Sequence, residues 1–209
     1  MTRAGVRALA DGESDALAET LARAFYDNPM NRAAIRGGAA RRLRASRCGI
    51  RETLATAAGR STILVNTRGS GGPQGSVLGG LIGLPPGEWP LPPPVFLAQV
   101  RLVLGQGLAT MRRWGEVDDR LARLHPTEPH WYLLLLGVDP AGQRQGAGSA
   151  LLEAWLKQVD CDGARAYLET DRRENLDFYR RAGFEVLEAH EILETPFWRM
   201  GRPASPLAS

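Results

Sequence analysis

The spacing of apolar residues predicts a regular succession of strands and helices in the first part of the chain. Helical spacing runs through residues 17–25, and a second helix is predicted at about 39–57. Short apolar runs typical of strands occur at 6–9, 61–65 and 76–82. This part of the chain therefore predicts one strand, two helices and a pair of strands, in that order.

The middle of the chain contains more glycine and proline. Residues 69–75 are rich in glycine and predict a turn or hairpin tip between the two strands. Residues 85–94 are rich in proline, which predicts an extended loop without regular structure. An amphipathic stretch follows at 95–124. It predicts either one long helix broken near residues 105–107 or Gly115, or two shorter helices.

The last third begins with a continuously apolar run at residues 131–138, as expected of a strand that is buried on both faces. A helix follows from about Gly148, then a strand at 164–169 and a helix from Asp171, its expected N-cap, to Gly183. Residues 184–187 and 197–200 predict two final strands. The order predicts a mixed α/β or α+β sheet, and we expect one domain over residues 1–209.

Composition and charge narrow the function classes. Of the 209 residues, 44% are apolar and 23% are charged, which is typical of a globular protein. The net charge of +3 does not indicate nucleic acid or a membrane as partner, and no apolar run has the length of a membrane-spanning helix. We see no signal peptide, and Cys48 and Cys161 are isolated. We therefore expect two buried free thiols, no metal site and a cytoplasmic location.

A glycine-containing loop joins the buried strand to the next helix. Gly146 and Gly148 allow the backbone to approach a ligand closely. The first turn of a helix has unpaired N–H donors and a partial positive charge, and both favour an anion. Gln143, Arg144 and Gln145 add side-chain donors. Taken alone, this pattern fits either a phosphate-binding loop or a simple turn.

The loop and two segments after it share a pattern with a known family. Residues 143–148 match a signature of Gln or Arg, two variable residues, Gly, one variable residue, and Gly or Ala. Residues 168–170 and 175–184 match the strand and the tyrosine-bearing helix that follow it. In these features the chain resembles the GNAT superfamily of N-acetyltransferases, and residues 125–202 most resemble its puromycin N-acetyltransferase subgroup.

The resemblance implies a GNAT-like fold of about seven strands with a central splayed pair, about four main helices, and a helical insertion between the third and fourth strands. Residues 1–128 are then the acceptor side, and residues 130–200 are the acetyl-CoA-binding core. The family binds acetyl-CoA as a cosubstrate. The positions that correspond to its binding residues are Leu136, Gly137 and Val138 in a strand, Gln143, Arg144, Gln145, Gly146, Ala147, Gly148 and Ser149 in the loop and helix start, and Asn175 and Tyr179 in a later helix.

The resemblance also implies the catalytic roles. In the family an amine attacks the thioester directly, and a strand N–H near Val138 stabilises the oxyanion. Tyr179 matches the tyrosine that serves as general acid toward the departing thiolate, and its alternative role is that of a core aromatic residue. Glu169 is a candidate to accept the amine proton, directly or through water, or else an ion-pair or capping residue. His125 and His130 are further candidates for the base.

The acceptor is less constrained by the sequence. Residues 84–128 form a long insertion, in which Trp89, Phe96 and Trp114 are candidates either for the wall of an acceptor pocket or for core residues. We expect a small-molecule amine, such as an antibiotic or an aminonucleoside, and a monomer or homodimer. The alternatives are a protein N-terminus or lysine as acceptor, a catalytically silent acyl-CoA sensor, and, remotely, a dinucleotide-dependent oxidoreductase, because residues 146–151 resemble half of that fingerprint.

Overall fold

The computed structural model describes residues 5–68 and 76–205, which form one sheet with helices on both faces. The strands are β1 (Gly5–Ala8), β2 (Thr62–Arg68), β3 (Ser76–Leu84), β4 (Trp131–Val138), β5 (Ala166–Thr170), β6 (Glu185–Ile192) and β7 (Thr195–Arg202). The helices are α1 (Ser14–Ala24), α2 (Pro29–Ala34), α3 (Ala39–Ala57), α4 (Phe96–Gln106), α5 (Leu108–Leu124), α6 (Ala147–Cys161) and α7 (Asn175–Arg180).

The strands are arranged in the order β1-β2-β3-β4-β5-β7-β6. Neighbouring strands are antiparallel except β4 and β5, which run parallel because α6 crosses from the end of one to the start of the other. The mixed sheet predicted from the order of elements is therefore confirmed.

A bulge in β4 separates this strand from β5. Ile82 pairs with Leu135 and Gly83 pairs with Leu133, so Leu134 is an extra residue in the ladder between β3 and β4. The parallel pairing with β5 ends at Leu133. Because a bulge bends a strand and increases its twist, β4 and β5 diverge beyond this point. The splayed pair that the family resemblance implied is present at this position.

Each face of the sheet is covered by its own helices. α6 and α7 pack on one face, in a core that includes Trp155 and Leu168. α1 and α3 pack on the other face around Leu21 and Leu54. α5 packs there against the hairpin of β6 and β7, in contact with Phe197. We call these surfaces the α6–α7 face and the α1–α5 face.

The structure differs from the sequence-based expectations at several helix ends. The helical spacing of residues 17–25 stops before Pro29, but Pro29 begins a further helix, α2. Proline fits this position because the N–H groups of the first helical turn have no intrahelical partner. The amphipathic stretch forms two helices, which are divided at Gly107, where φ is +83°. Asp171 does not cap α7, which begins at Asn175. The turn predicted at residues 69–75 lies outside the described residues.

Three further findings concern the chemical setting. In the described ranges, no helix is both long and apolar enough to cross a membrane. The same residues contain no group of three or more His, Cys, Asp or Glu side chains arranged to hold a metal ion. Cys48 and Cys161 are both free thiols, as expected. The expectation that both are buried is wrong, because Cys48 is half-buried and Cys161 is exposed.

Candidate active site

The opening between β4 and β5 is lined by backbone groups of β4. The N–H of Asp139 donates to the carbonyl of Leu78 at 2.8 Å, so this residue belongs to a hydrogen-bonded pair with β3. Such pairs alternate along an antiparallel ladder. The backbone of Gly137 therefore also faces β3, whereas the N–H and C=O groups of Leu136 and Val138 face the opening.

Gly137 is required for the packing of α1 against β4. A Cβ atom at this position would lie 2.8 Å from Leu21 Cδ2 and 3.0 Å from Ala24 Cβ. Both distances are shorter than a normal contact between carbon atoms. Of the three strand residues predicted to bind the coenzyme, two present polar backbone groups to the opening, and the third lets a helix approach closely.

The helix start after β4 has free hydrogen-bond donors. Gly146 has a φ of +83°, a left-handed conformation that glycine adopts without strain, and it is the N-cap of α6. Ala150 donates the first intrahelical hydrogen bond, to the carbonyl of Gly146 at 2.9 Å. The N–H groups of Ala147, Gly148 and Ser149 make no hydrogen bond to any described residue. These donors and the helix dipole together suit a phosphate.

The side chains of the loop have two different roles. Gln143 Nε2 donates to the carbonyl of Val138 at 3.1 Å, and Gln145 Nε2 donates to the carbonyl of Ala141 at 3.2 Å. Both amides therefore stabilise the backbone of the loop. Arg144 is exposed and forms no ion pair with a described residue, so its guanidinium is free to contact an anion.

Asp139 holds the start of the loop against α1. Its carboxylate accepts hydrogen bonds from Ala141 N at 2.9 Å and from Arg23 Nε at 2.6 Å. Although burial opposes it, these two hydrogen bonds hold the pKa of Asp139 below its ordinary value. The sequence did not predict this contact, because Arg23 is distant along the chain and its place on a helix does not identify a partner.

Tyr179 is buried on the α6–α7 face. Its ring packs edge-on against Phe178 and Phe184, with ring centroids 5.0 Å and 6.0 Å away. Burial, and after it the charge of Asp171, raise the pKa of the Tyr179 hydroxyl above its ordinary value. The phenol is therefore protonated at neutral pH, which is the state that a general acid needs.

Asn175 joins the start of α7 to the end of β5. Its Nδ2 donates to Thr170 Oγ1 at 3.3 Å, and the backbone N–H of Arg172 approaches the same oxygen at 3.4 Å. Asn175 lies one helical turn before Tyr179, so the two predicted coenzyme-binding residues of α7 face the same side of that short helix.

A second contact connects the end of β5 to the segment between α1 and α2. The carboxylate of Asp171 accepts hydrogen bonds from Met30 N at 2.8 Å and from Asn28 Nδ2 at 3.1 Å. Arg172 Nε donates to Asn28 Oδ1 at 2.9 Å. We call this set of contacts the Asp171 clasp. The sequence pattern assigned Asp171 to a helix cap, because Asp followed three residues later by Glu is typical of one.

Glu169 is the first residue of β5 beyond its pairing with β4, so it lies where the opening begins. Its Oε1 atom is buried and makes no hydrogen bond to any described residue. Burial raises the pKa of Glu169 to about 7, whereas the nearby hydroxyls of Tyr132 and Tyr167 and the charge of Arg199 lower it. A carboxyl group that titrates near neutrality suits a general base.

His125 and His130 lie beside Glu169 on the α1–α5 face. The Nε2 atoms of the two rings are 3.0 Å apart, and His130 Nδ1 lies 2.6 Å from the carbonyl of Glu128. His125 Nδ1 lies 3.9 Å from Glu169 Oε1. Burial, followed by the charges of His130 and Arg199, lowers the pKa of His125 to about 4, so this ring is neutral at physiological pH.

The three aromatic residues proposed for an acceptor wall lie in different surroundings. Trp89 stacks on His125 with ring centroids 5.2 Å apart. Trp114 packs against the clusters around α2 and the hairpin of β6 and β7. Phe96 is 75% exposed at the start of α4. The expectation of a common wall is therefore wrong, and only Trp89 approaches the cluster around Glu169.

A comparison with known families identifies the part of the chain that contains these features. Residues 101–186 match a family model described as an acetyltransferase (GNAT) domain. The match includes the loop after β4, Glu169 and Tyr179. These residues are therefore similar to a GNAT acetyltransferase domain.

Solved structures share the fold of this chain over nearly its whole length. A Corynebacterium glutamicum protein, described as histone acetyltransferase HPA2 and related acetyltransferase, is 22% identical with a TM-score of 0.74, and the match covers 99% of this chain and 98% of that chain. The ribosomal-protein-S18-alanine N-acetyltransferase of Escherichia coli is 16% identical with a TM-score of 0.58, covering 99% and 97%. A Brucella melitensis GNAT family acetyltransferase in complex with acetyl-CoA is 17% identical with a TM-score of 0.52, covering 100% and 95%.

These comparisons confirm the predicted GNAT-like fold and the predicted enzyme class, an acetyltransferase. The remote alternative is a dinucleotide-dependent oxidoreductase. Its fold requires a mostly parallel sheet with helices on both faces, and the dinucleotide binds where the strand order reverses. The described sheet has only one parallel pair, so that alternative is wrong. The likeness to the puromycin N-acetyltransferase subgroup and the roles of individual residues remain predictions.

Proposed function

We propose that this protein transfers the acetyl group of acetyl-CoA to the amine of a small molecule. The observation that carries the proposal is that the free N–H donors at the start of α6 adjoin the edge of β4 that faces the opening. The free N–H donors at the start of α6 lie at one end of β4, and the backbone of this strand faces the opening from there to the level of Glu169. An anion site that leads along an unpaired strand edge suits a long substrate with a diphosphate at one end.

The residues fit acetyl-CoA at both ends of this path. The N–H groups of Ala147, Gly148 and Ser149 can bind the diphosphate, with Arg144 as an additional cation. The amide groups of the pantetheine arm need hydrogen-bond partners. Leu136 offers a free N–H and a free C=O at the opening. Val138 offers only its N–H, because its carbonyl already accepts a hydrogen bond from Gln143.

Acetyl-CoA supplies the acetyl group as a thioester. Glu169 accepts a proton from the acceptor ammonium, so that the neutral amine can attack. A β4 N–H that faces the opening donates to the developing oxyanion from a fixed position, which stabilises it without reorganisation. Tyr179, protonated at neutral pH, donates its proton to the departing thiolate.

The helical insertion favours a small acceptor. α5 packs against the hairpin of β6 and β7 on the α1–α5 face, and His125, the residue that follows α5, reaches Glu169. The Asp171 clasp links the segment between α1 and α2 to the end of β5. Both contacts limit the space for a polypeptide beside Glu169. The resemblance of residues 125–202 to the puromycin N-acetyltransferase subgroup supports an aminonucleoside as the first compound to test.

A thiol-release assay with acetyl-CoA tests the proposal. The panel contains puromycin-like aminonucleosides, aminoglycosides, polyamines and short peptides, and mass spectrometry of the products identifies the acetylated atom. We expect thiol release that depends on a small-molecule amine and a product heavier by one acetyl group. Release with none of the small amines would contradict the proposal.

The alternative is a protein acceptor. The Corynebacterium and Escherichia coli structures carry the names of a histone acetyltransferase and a ribosomal-protein acetyltransferase, but likeness at these identities concerns the fold alone. In the same assay, turnover restricted to peptides, with acetyl groups found on an N-terminus or a lysine, would favour this alternative.

A further inference from the structure

We propose that His125 and His130 form a relay that carries the proton accepted by Glu169 to solvent. The inference rests on the proposed function, because it assumes that Glu169 takes a proton from the acceptor amine. It goes beyond that function because it assigns a role to two side chains that do not contact the reacting atoms. In this sense they are positioning and relay residues, not catalytic residues.

The hydrogen-bond pattern determines where the protons of the two rings lie. A carbonyl oxygen only accepts, so His130 Nδ1, at 2.6 Å from the Glu128 carbonyl, carries a proton. In a neutral His130, Nε2 is then an acceptor, and the Nε2 of His125 at 3.0 Å must be the donor. His125 Nδ1 therefore presents a lone pair toward Glu169.

The two atoms at the other end of the relay are both without a partner. His125 Nδ1 and Glu169 Oε1 are buried, and neither makes a hydrogen bond to any described residue. They lie 3.9 Å apart, a separation that a small side-chain movement or one bridging water can close. A lone pair that faces an ionised carboxylate is unfavourable. A proton on Glu169 removes this conflict and gives both atoms a partner.

The relay moves one proton from Glu169 through His125 and His130 to water. After Glu169 has taken the amine proton, its Oε1–H bond breaks and an N–H bond forms at His125 Nδ1. The Nε2–H bond of His125 breaks as the Nε2–H bond of His130 forms. The His130 imidazolium then loses its Nδ1 proton to water, and proton exchange with solvent returns both rings to their starting tautomers. One proton has moved from the acceptor amine to solvent, and Glu169 is again a carboxylate.

The surrounding charges favour movement in this direction. His125 is the less exposed end of the pair, and burial together with the charge of Arg199 disfavours an imidazolium there. His130 is half-exposed and reaches solvent. Four titratable or charged groups face Glu169 and His125. They are Tyr132 of β4, Tyr167 of β5, Arg199 of β7 and His130, the residue before β4.

Kinetics of the full-length enzyme test the relay. We expect His130→Gln to lower kcat by about tenfold in dilute buffer while the KM for acetyl-CoA stays within about twofold. Added imidazole should restore most of the rate, because a soluble base can replace the missing proton acceptor. His190→Gln is the matched control, since this histidine binds Glu188 and stacks on Phe197. Unchanged kcat in His130→Gln, or a loss that imidazole does not restore, would overturn the proposal.

A nitrogen NMR titration of the histidines separates the relay from the proposed function, because it needs no acceptor. We expect neutral His125 to carry its proton on Nε2, and Glu169→Gln to shift the titration of His125 but not that of His190. His125 protonated on Nδ1 would overturn the relay even in an active enzyme. The expected tautomers in a protein that acetylates no amine would instead contradict the proposed function.

Discussion

Glu169 and Tyr179 are two buried ionisable side chains on opposite faces of the sheet. Burial raises the pKa of both, but with different consequences. The carboxyl group of Glu169 reaches about 7 and can exchange a proton near neutrality. The phenol of Tyr179 only becomes a more reluctant acid. The first property suits a base for the acceptor amine, and the second keeps the proton on the Tyr179 oxygen at neutral pH, where it is available to the departing thiolate.

Tyr179→Phe tests the role of the phenol. We expect kcat to fall by more than about tenfold, because no other proton donor is placed at the same position. The dissociation constant for CoA should stay within about twofold, since the aromatic ring keeps its packing against Phe178 and Phe184. The measurements are thiol release and calorimetry. A wild-type rate would remove Tyr179 from the mechanism.

Glu169→Gln tests the raised pKa through stability. A carboxyl group with a folded-state pKa of about 7 and an ordinary value of 4.5 stabilises the fold below pH 4.5, and this contribution is lost as the pH rises through 7. Relative to the Gln variant, the wild type should lose about 2 to 3 kcal/mol of unfolding free energy between about pH 5 and pH 8. Denaturant unfolding measures the difference. A constant difference over this range would show that Glu169 ionises normally.

At the scale of elements, the site depends on the junction of β4 and α6. The bulge at Leu134 ends the parallel pairing, and the strand beyond it runs to a loop held by Gln143 and Asp139. The loop ends at Gly146, whose left-handed conformation turns the chain into α6. The result is that the opening and the free N–H donors lie at the same end of the sheet.

Gly146→Ala tests the helix start as a diphosphate site. A Cβ atom here would meet nothing within 4 Å, so the variant should fold, but the φ of +83° is a left-handed conformation that alanine adopts only with strain. We expect its dissociation constant for CoA to rise by about tenfold, because alanine disfavours the conformation that directs the N–H groups of the helix start toward the diphosphate.

Gly115→Ala is the matched control for this variant. Gly115 lies in α5, and an added Cβ would meet nothing within 4 Å. The change should leave CoA affinity unaltered and stabilise the fold by about 0.5 to 1 kcal/mol, because alanine is the better helix former. Equal CoA affinity in Gly146→Ala and Gly115→Ala would contradict the assignment of the helix start.

At the scale of the whole molecule, side-chain contacts join the proposed acceptor side to the proposed coenzyme side. Arg23 of α1 holds Asp139 at the loop, and the Asp171 clasp holds the segment between α1 and α2 against the end of β5. Both contacts lie at the end of the sheet where β4 and β5 diverge. In the proposed function, this arrangement keeps the sites of the two substrates in a defined relation across the opening.

Local patterns in the sequence were sufficient to predict most elements and the glycine loop, because periodicity, turn residues and a helix start depend on neighbouring residues. The bulge at Leu134 was not predictable, since it depends on the register between β3 and β4 and not on the apolar run itself. The same holds for the partners of Asp139 and Asp171. These contacts form between residues that only the tertiary fold brings together, and the pattern around Asp171 favoured a local cap instead.

The central claim is that the start of α6 and the opening beside β4 bind acetyl-CoA. Calorimetric titration of the full-length protein with CoA, and separately with adenosine 3′-phosphate, tests it directly. We expect binding of CoA in the micromolar range and much weaker binding of the nucleotide that lacks the diphosphate and the pantetheine arm. No heat with CoA at millimolar concentration, or equal affinity for both compounds, would contradict the claim.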